Sequence, residues 1–128
     1  MTTPDDFTRQ FASLWAARDA EGLAALAAED ATMLTLTGLW CEGRKEILAA
    51  LKAELAGAFA RSRLVTGKGE LKSLAPGITL LHQRFVLSGL VDAEGRDAGR
   101  IGAVLTVVQV ARRAGPEAAT LHFTVVEG

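Results

Sequence analysis

The residues of this chain best suited to chemistry are two histidines, His82 and His122, and one aspartate, Asp30. Histidine is the side chain whose ordinary pKa lies nearest neutral pH, so either histidine is a candidate general base, and Asp30 is a candidate acid. Neither histidine has an acidic residue close to it in sequence. A catalytic pair must therefore be assembled by folding. The alternatives are a dimer contact for the histidines and a hydrogen bond to the backbone of a turn for Asp30.

A second cluster, GLWCEGRKEI at residues 38–47, holds the only cysteine, Cys41, between Trp40 and the pair Glu42 and Arg44. Cysteine acts as a nucleophile only when its thiolate is stabilised, here by a following helix N-terminus or by Arg44. No histidine lies nearby in sequence to activate it, which favours an inert thiol. The glycines and charges are typical of a turn that leads into a helix, and Trp40 is its one predicted ligand contact.

Composition argues against several classes of function. The formal net charge of −1 gives no basic surface for nucleic acid, and no apolar run is long enough to span a membrane. The sequence has no phosphate-binding glycine loop, GxSxG nucleophile elbow, zinc-ligand spacing or dinucleotide fingerprint, so we expect no cofactor and no metal. A single cysteine, and two acids where a signal peptide carries positive charge, favour a cytoplasmic protein.

The elements that must position these residues begin with helices. The first is predicted over 3–18, with Thr3 as its cap and Pro4 in its first turn. Further helices are predicted over 20–30 and 44–59. Strands are predicted at 31–40, 61–75, 78–91, 100–113 and 120–128. Helices first and strands afterwards predict one α+β domain over residues 1–128, with the helices on one face of an antiparallel sheet.

The order of elements resembles the NTF2-like superfamily, and within it the SnoaL-like group of small bacterial proteins. The resemblance rests on the segment from Phe11 to Trp15, on Asp19 followed by LAALAAEDA, and on TGLWCEGRKEI and LKSLAPGITLLHQRFVLSG. It implies a cystatin-like cone of three N-terminal helices on a curved mixed or antiparallel sheet, with a pocket between them and dimers through the outer sheet face. It implies no single activity, because the fold serves isomerases, cyclases, dehydratases and non-catalytic binders. The chain has no tyrosine, so the tyrosine-plus-aspartate site of ketosteroid isomerase relatives does not carry over.

The two long hairpins predict which face of the sheet looks inward. Turns centred near residues 95 and 115 pair position i with about 190 − i and then with about 230 − i. This places Val107 between Gln83 and Phe123 on an apolar, odd-numbered face that the helices should cover. The predicted pocket lining is Trp15, Met33, Trp40, Phe59, Gln83, Phe85, Gln109 and Phe123. The even-numbered face places Val108 between His82 and His122 and carries several further valines, so we expect a second copy of the chain to cover it.

Three functions remain open at this point. The first is binding of a small apolar or aromatic molecule in the pocket. The second is an isomerase, cyclase or dehydratase that uses a pocket histidine or Asp30 for proton transfer, which a second polar group beside that residue would favour. The third is a non-catalytic dimeric interaction module, which an interior filled by the chain's own side chains would favour.

Overall fold

A computed structural model describes residues 3–126 of the chain. After a 3-10 turn at Pro4–Asp6, the helices are α1 (Phe7–Ala16), α2 (Ala20–Ala25) and α3 (Arg44–Ala56). The strands are β1 (Ala27–Leu34), β2 (Trp40–Glu42), β3 (Arg63–Ala75), β4 (Ile78–Val91), β5 (Asp97–Arg112) and β6 (Gly115–Val126). The last predicted strand extends to 127 and 128, which lie outside the described residues. Among residues 3–126, no helix has the length and apolar character needed to cross a membrane.

The strands form one mixed six-stranded sheet in the order β2-β1-β6-β5-β4-β3. Strands β1 and β6 run parallel, and every other neighbouring pair is antiparallel. The helices cover one face of this sheet, and the buried side chains lie between the two layers. The predicted α+β class, with three N-terminal helices on a mixed sheet, is confirmed.

The first helical segment begins at Pro4, as the sequence predicts, but its first turn is 3-10 and α1 begins only at Phe7. The Thr3 N–H donates to the Asp6 carboxylate at 2.9 Å, and the Asp6 N–H donates to the Thr3 carbonyl at 3.0 Å. Phe7, Phe11 and Trp15 follow at intervals of four residues and are all buried. This spacing returns a side chain to the same side of a helix, so α1 presents one aromatic stripe to the sheet.

Helix α2 is shorter than the sequence predicts. Asp19 caps it and accepts a hydrogen bond from the Gly22 N–H at 2.9 Å, but the helix ends at Ala25 rather than near residue 30. The alanine-rich segment that follows favours a helix by propensity. It forms β1 instead, where Ala27 pairs with Ala118 of β6 and is buried. Pairing with a strand distant in sequence overrides the local preference here.

The long hairpins pair two residues away from the predicted register. Gln83 faces Leu105, and Leu105 faces Phe123, in place of the predicted Val107. The shift arises because both turns lie earlier in the chain; the second closes at the pair Arg112 and Gly115. Over 79–87, 101–108 and 120–126 a shift of two residues leaves each side chain on its predicted face, since strand side chains alternate with a period of two. The bulge after Val108 changes this parity, so the even-numbered Ala118 is buried. The buried side chains of the three segments are odd-numbered and include Leu81, Phe85, Leu105 and Phe123.

Candidate functional site

The predicted pocket lining gathers in one place, with one exception. Seven of the eight residues lie between helices and sheet, and each keeps 4% or less of its surface exposed: Trp15, Met33, Phe59, Gln83, Phe85, Gln109 and Phe123. Within the described part of the chain, these side chains are covered by one another and by their neighbours, which makes this region a packed interior.

Phe11 of α1 is the centre of this interior. Its ring centroid lies 5.9 Å from that of Trp15 and 6.0 Å from those of Phe85 and Phe123. Trp15 in turn lies 5.5 Å from Phe59. These are the separations of directly packed aromatic rings. Phe11 is not among the predicted lining residues, but its ring packs against three of them, Trp15, Phe85 and Phe123.

The polar edge of Trp15 is satisfied by the protein itself. Its Nε1 donates to the Ser62 hydroxyl at 2.9 Å, and that hydroxyl donates to the Phe59 carbonyl at 2.8 Å. Arg18, held at a φ of 56°, donates to the carbonyls of Trp15 at 2.8 Å and Ala60 at 2.9 Å. These bonds fasten the end of α1 to the segment between α3 and β3 and fix the orientation of the indole.

Gln83 also bonds within the chain. Its Nε2 donates to the carbonyls of Gly67 at 2.9 Å and Arg84 at 3.0 Å, and its Oε1 accepts from the Thr8 hydroxyl at 3.0 Å. The Gly67 carbonyl lies where the register of β3 against β4 shifts. The Gln83 amide therefore links α1, β3 and β4, and its hydrogen bonds stabilise the fold rather than bind a ligand.

Trp40 lies outside this interior, so its predicted place in the pocket is wrong. Residues 31–40 do not form one strand: a turn at 35–39 separates β1 from β2. In β2, Cys41 pairs with Met33 and faces inward, and alternation turns Trp40 outward. Its surface is 52% exposed, and its ring meets that of His122 edge-on at a centroid distance of 5.6 Å.

The two histidines lie in one row on the outer face of the sheet. His82 pairs with Thr106, which pairs with His122, so Thr106 stands between them in place of the predicted Val108. Two strand spacings separate their α-carbons by about 9–10 Å. His82 is exposed, whereas His122 is partly covered. Among residues 3–126, no three histidine, cysteine or acidic side chains come together as a metal-binding group.

Asp30 and Cys41 occupy different environments. Asp30 does not turn inward. Helix α2 ends five residues before it, so Asp30 belongs to strand β1, where its side chain is exposed. Cys41 is buried. Burial raises the pKa of its thiol, and the carboxylates of Glu46 and Glu54 raise it further. A thiol with a raised pKa carries little thiolate near neutral pH, which makes Cys41 a poor nucleophile.

Glu54, a buried acid on α3, is absent from the predicted site residues. Its side chain is only 6% exposed and accepts a hydrogen bond from the Thr37 hydroxyl in the β1–β2 turn at 2.5 Å. The signal is its position, seven residues after Ile47 and three after Leu51, which places it on the buried face of the helix. The bond joins α3 to the turn that carries Trp40 outward.

Comparison with known proteins supports the fold. No protein-family model matches the chain, and no curated protein matches it in sequence. An uncharacterised protein with a cystatin-like fold from Caulobacter vibrioides aligns with a TM-score of 0.87 at 23% identity, covering 96% of this chain and 87% of that one. A putative calcium/calmodulin dependent protein kinase II association domain from Xanthomonas campestris aligns with a TM-score of 0.79 at 16% identity, covering 98% and 93%. A putative scytalone dehydratase from Novosphingobium aromaticivorans aligns with a TM-score of 0.81 at 11% identity, covering 95% and 80%.

These likenesses establish architecture and leave activity open. The aligned structures share only 11–23% of their residues with this chain, and they include a putative association domain as well as a putative dehydratase. Proteins with this backbone are thus assigned different functions. The chain therefore has the cystatin-like α+β fold that its resemblance to the NTF2-like superfamily predicts.

Proposed function

We propose that this protein is a non-catalytic dimeric interaction module, in which a second copy of the chain covers the outer face of the sheet. The filled interior is the observation that carries the proposal. Phe11, Trp15 and Phe85 each keep 1% or less of their surface exposed and pack ring against ring. The interior side chains therefore stabilise the fold, and the functional contacts are expected on the protein surface.

The positions of the polar residues support this choice among the three hypotheses. Proton transfer in a pocket requires a histidine or Asp30 inside it, whereas both histidines lie on the outer face of the sheet and Asp30 is exposed. Glu54, the buried acid of α3, is bonded to Thr37. Ligand binding in the central interior requires that the aromatic side chains move apart.

The outer face carries many aliphatic side chains that the chain itself covers only in part. Trp40, Leu80 and Val108 lie on it and retain exposed surface, as do several further aliphatic residues, namely Leu34, Val86, Val104 and Val110. Leu80 and Val108 are a directly paired couple near its middle. The row His82, Thr106 and His122 crosses this face, so it combines aliphatic with polar side chains, as protein interfaces do. An identical face on a second copy is its simplest complement.

The area of this face is sufficient for a dimer. Four adjacent strands, β4, β5, β6 and β1, span about 19 Å, and eight residues along each extend about 27 Å. The flat area is about 500 Å² per copy, or about 1,000 Å² in total, which reaches the lower bound of specific interfaces. The relief of the side chains and the projecting Trp40 add to it.

Sedimentation velocity with two arginine variants tests the proposal. We expect the unmodified chain to sediment as a dimer and Val108→Arg to sediment as a monomer, because the new charge would be buried without a partner. Ala16→Arg, which adds the same charge to an exposed position at the end of α1, should remain dimeric. Circular dichroism checks that both variants fold. A monomeric unmodified chain, or a folded Val108→Arg dimer, would overturn the proposal.

A further inference from the structure

We infer that the chain also binds a compact, uncharged apolar molecule bearing one hydroxyl group, held between Thr79 and Gln109 at the end of the sheet where α1 begins. This site lies on the inner face of the sheet. It is separate from the outer face and does not depend on the proposed dimer.

The site is a cleft that the helices leave open. Pro4 of the 3-10 turn before α1 and Pro116 near the start of β6 both border it. The space between them has a volume of about 320 Å³. We call it the N-terminal cleft; its lining includes Pro4, Gly77, Thr79, Gln109, Ala111 and Pro116. This is the lower end of the size range of small-molecule pockets and suits a single ring.

Gln109 supplies an unused hydrogen-bond acceptor. The residue is 2% exposed, and its Nε2 donates to the Pro4 carbonyl at 3.2 Å. No donor among residues 3–126 reaches its Oε1. In the same range, Thr79 Oγ1 is the only fully buried side-chain polar atom without a partner. Gln109 Oε1, which also lacks one, is therefore not sealed, and the space it borders is the cleft.

Thr79 supplies the second polar group. It faces Gln109 directly across β4 and β5, and such cross-strand partners have Cβ atoms about 5 Å apart. Its hydroxyl has no hydrogen-bond partner, which is rare for a buried polar atom. Thr79 also borders the cleft, so a ligand there would meet this hydroxyl after a change of its χ1 rotamer.

Together the two groups define the chemistry of the ligand. A hydroxyl placed between them accepts a hydrogen bond from Thr79 and donates one to Gln109 Oε1. Much of the remaining lining is apolar, from Pro4, Ala111 and Pro116. Arg112 also borders the cleft, but its Nε already donates to the Glu117 carboxylate at 3.3 Å. An uncharged ring with one hydroxyl fits this set better than an anion.

Titration with two probes that share a ring tests the inference. Benzyl alcohol carries the hydroxyl and toluene lacks it, and each is titrated into the ¹⁵N-labelled full chain. We expect benzyl alcohol to shift the amide signals of Gly77, Thr79 and Ala111, with an affinity about tenfold higher than that of toluene. Shifts confined to other residues, equal affinities, or no shift at all would each contradict the site.

A variant that keeps the shape of the cleft but lacks the hydroxyl tests whether the hydroxyl itself causes the preference for benzyl alcohol. Thr79→Val keeps the branched side chain and removes the oxygen, so we expect it to fold and to bind the two probes with nearly equal affinity. Thr66→Val, on the exposed part of β3, should preserve the preference for benzyl alcohol. If Thr79→Val unfolds, Gln109→Met tests the other partner in the same way. A folded variant at either position that keeps the full preference would refute the assignment.

Discussion

Truncation of Phe11 tests most severely whether the interior is as tightly packed as its ring contacts indicate. Phe11→Ala removes a ring that is 1% exposed and that lies within 6.0 Å of the Phe7, Trp15, Phe85 and Phe123 centroids. Loss of a buried phenylalanine ring costs about 3–5 kcal/mol, since both the transfer energy and the contacts around the new cavity are lost. We therefore expect the free energy of unfolding to fall by about 4 kcal/mol.

Urea denaturation followed by circular dichroism measures this loss. Val65→Ala is the matched control, because Val65 is 57% exposed and its truncation should change the stability by less than about 0.5 kcal/mol. A loss of less than about 1 kcal/mol for Phe11→Ala would show that the ring borders open space. In that event an interior pocket would again be the better interpretation.

Three further measurements test particular contacts. Ser62→Ala removes the acceptor of the buried Trp15 Nε1 and should lower the free energy of unfolding by about 1–3 kcal/mol, whereas Ser73→Ala, which loses only an exposed 3.5 Å bond, should change it little in the same urea titration. Burial raises the pKa of the Cys41 thiol above its ordinary value of 9.0, so the unfolded chain loses this proton at a lower pH than the folded chain does. The free energy of unfolding should therefore decline as the pH rises above 9. Denaturation curves collected from pH 7 to 11 measure this decline, and Cys41→Ala should abolish the part that the thiol causes. Iodide should quench the fluorescence of Trp40 much more in the monomeric Val108→Arg variant than in the dimer, because a partner sheet would cover its exposed ring; equal quenching in both would place Trp40 outside the interface.

The sequence predicts the architecture well where the patterns are local or periodic. The cap at Thr3, the aromatic stripe of α1 and the long strand at 78–91 all follow from residue types and spacing. The inward face of the regularly paired segments 79–87, 101–108 and 120–126 also follows, because an error of two residues keeps each side chain on the same side of the sheet. Seven of the eight proposed lining residues consequently lie together in the interior.

The errors have specific physical causes. The segment after α2 pairs with β6, which is more than 80 residues away, and no local propensity reveals this pairing. Trp40 faces outward because the turn at 35–39 divides one apparent strand, and that turn is held partly by Thr35, whose hydroxyl accepts from the Leu39 N–H at 3.0 Å. Whether the interior is filled depends on how Phe11 packs against two different strands, and side-chain volume of this kind cannot be read from periodicity.

Solvent access to the outer-face methyl groups tests the central claim most directly. A soluble paramagnetic probe enhances the relaxation of methyl groups that it can approach, and the outer-face Val104 and Val108 can be compared with the exposed Ala16 of α1. We expect the enhancement at both valines to fall severalfold as the protein concentration is raised through the dimer transition, while that of Ala16 stays constant. Equal enhancement of both valines at every concentration would show that the outer face stays in water, and the proposed function would then be wrong.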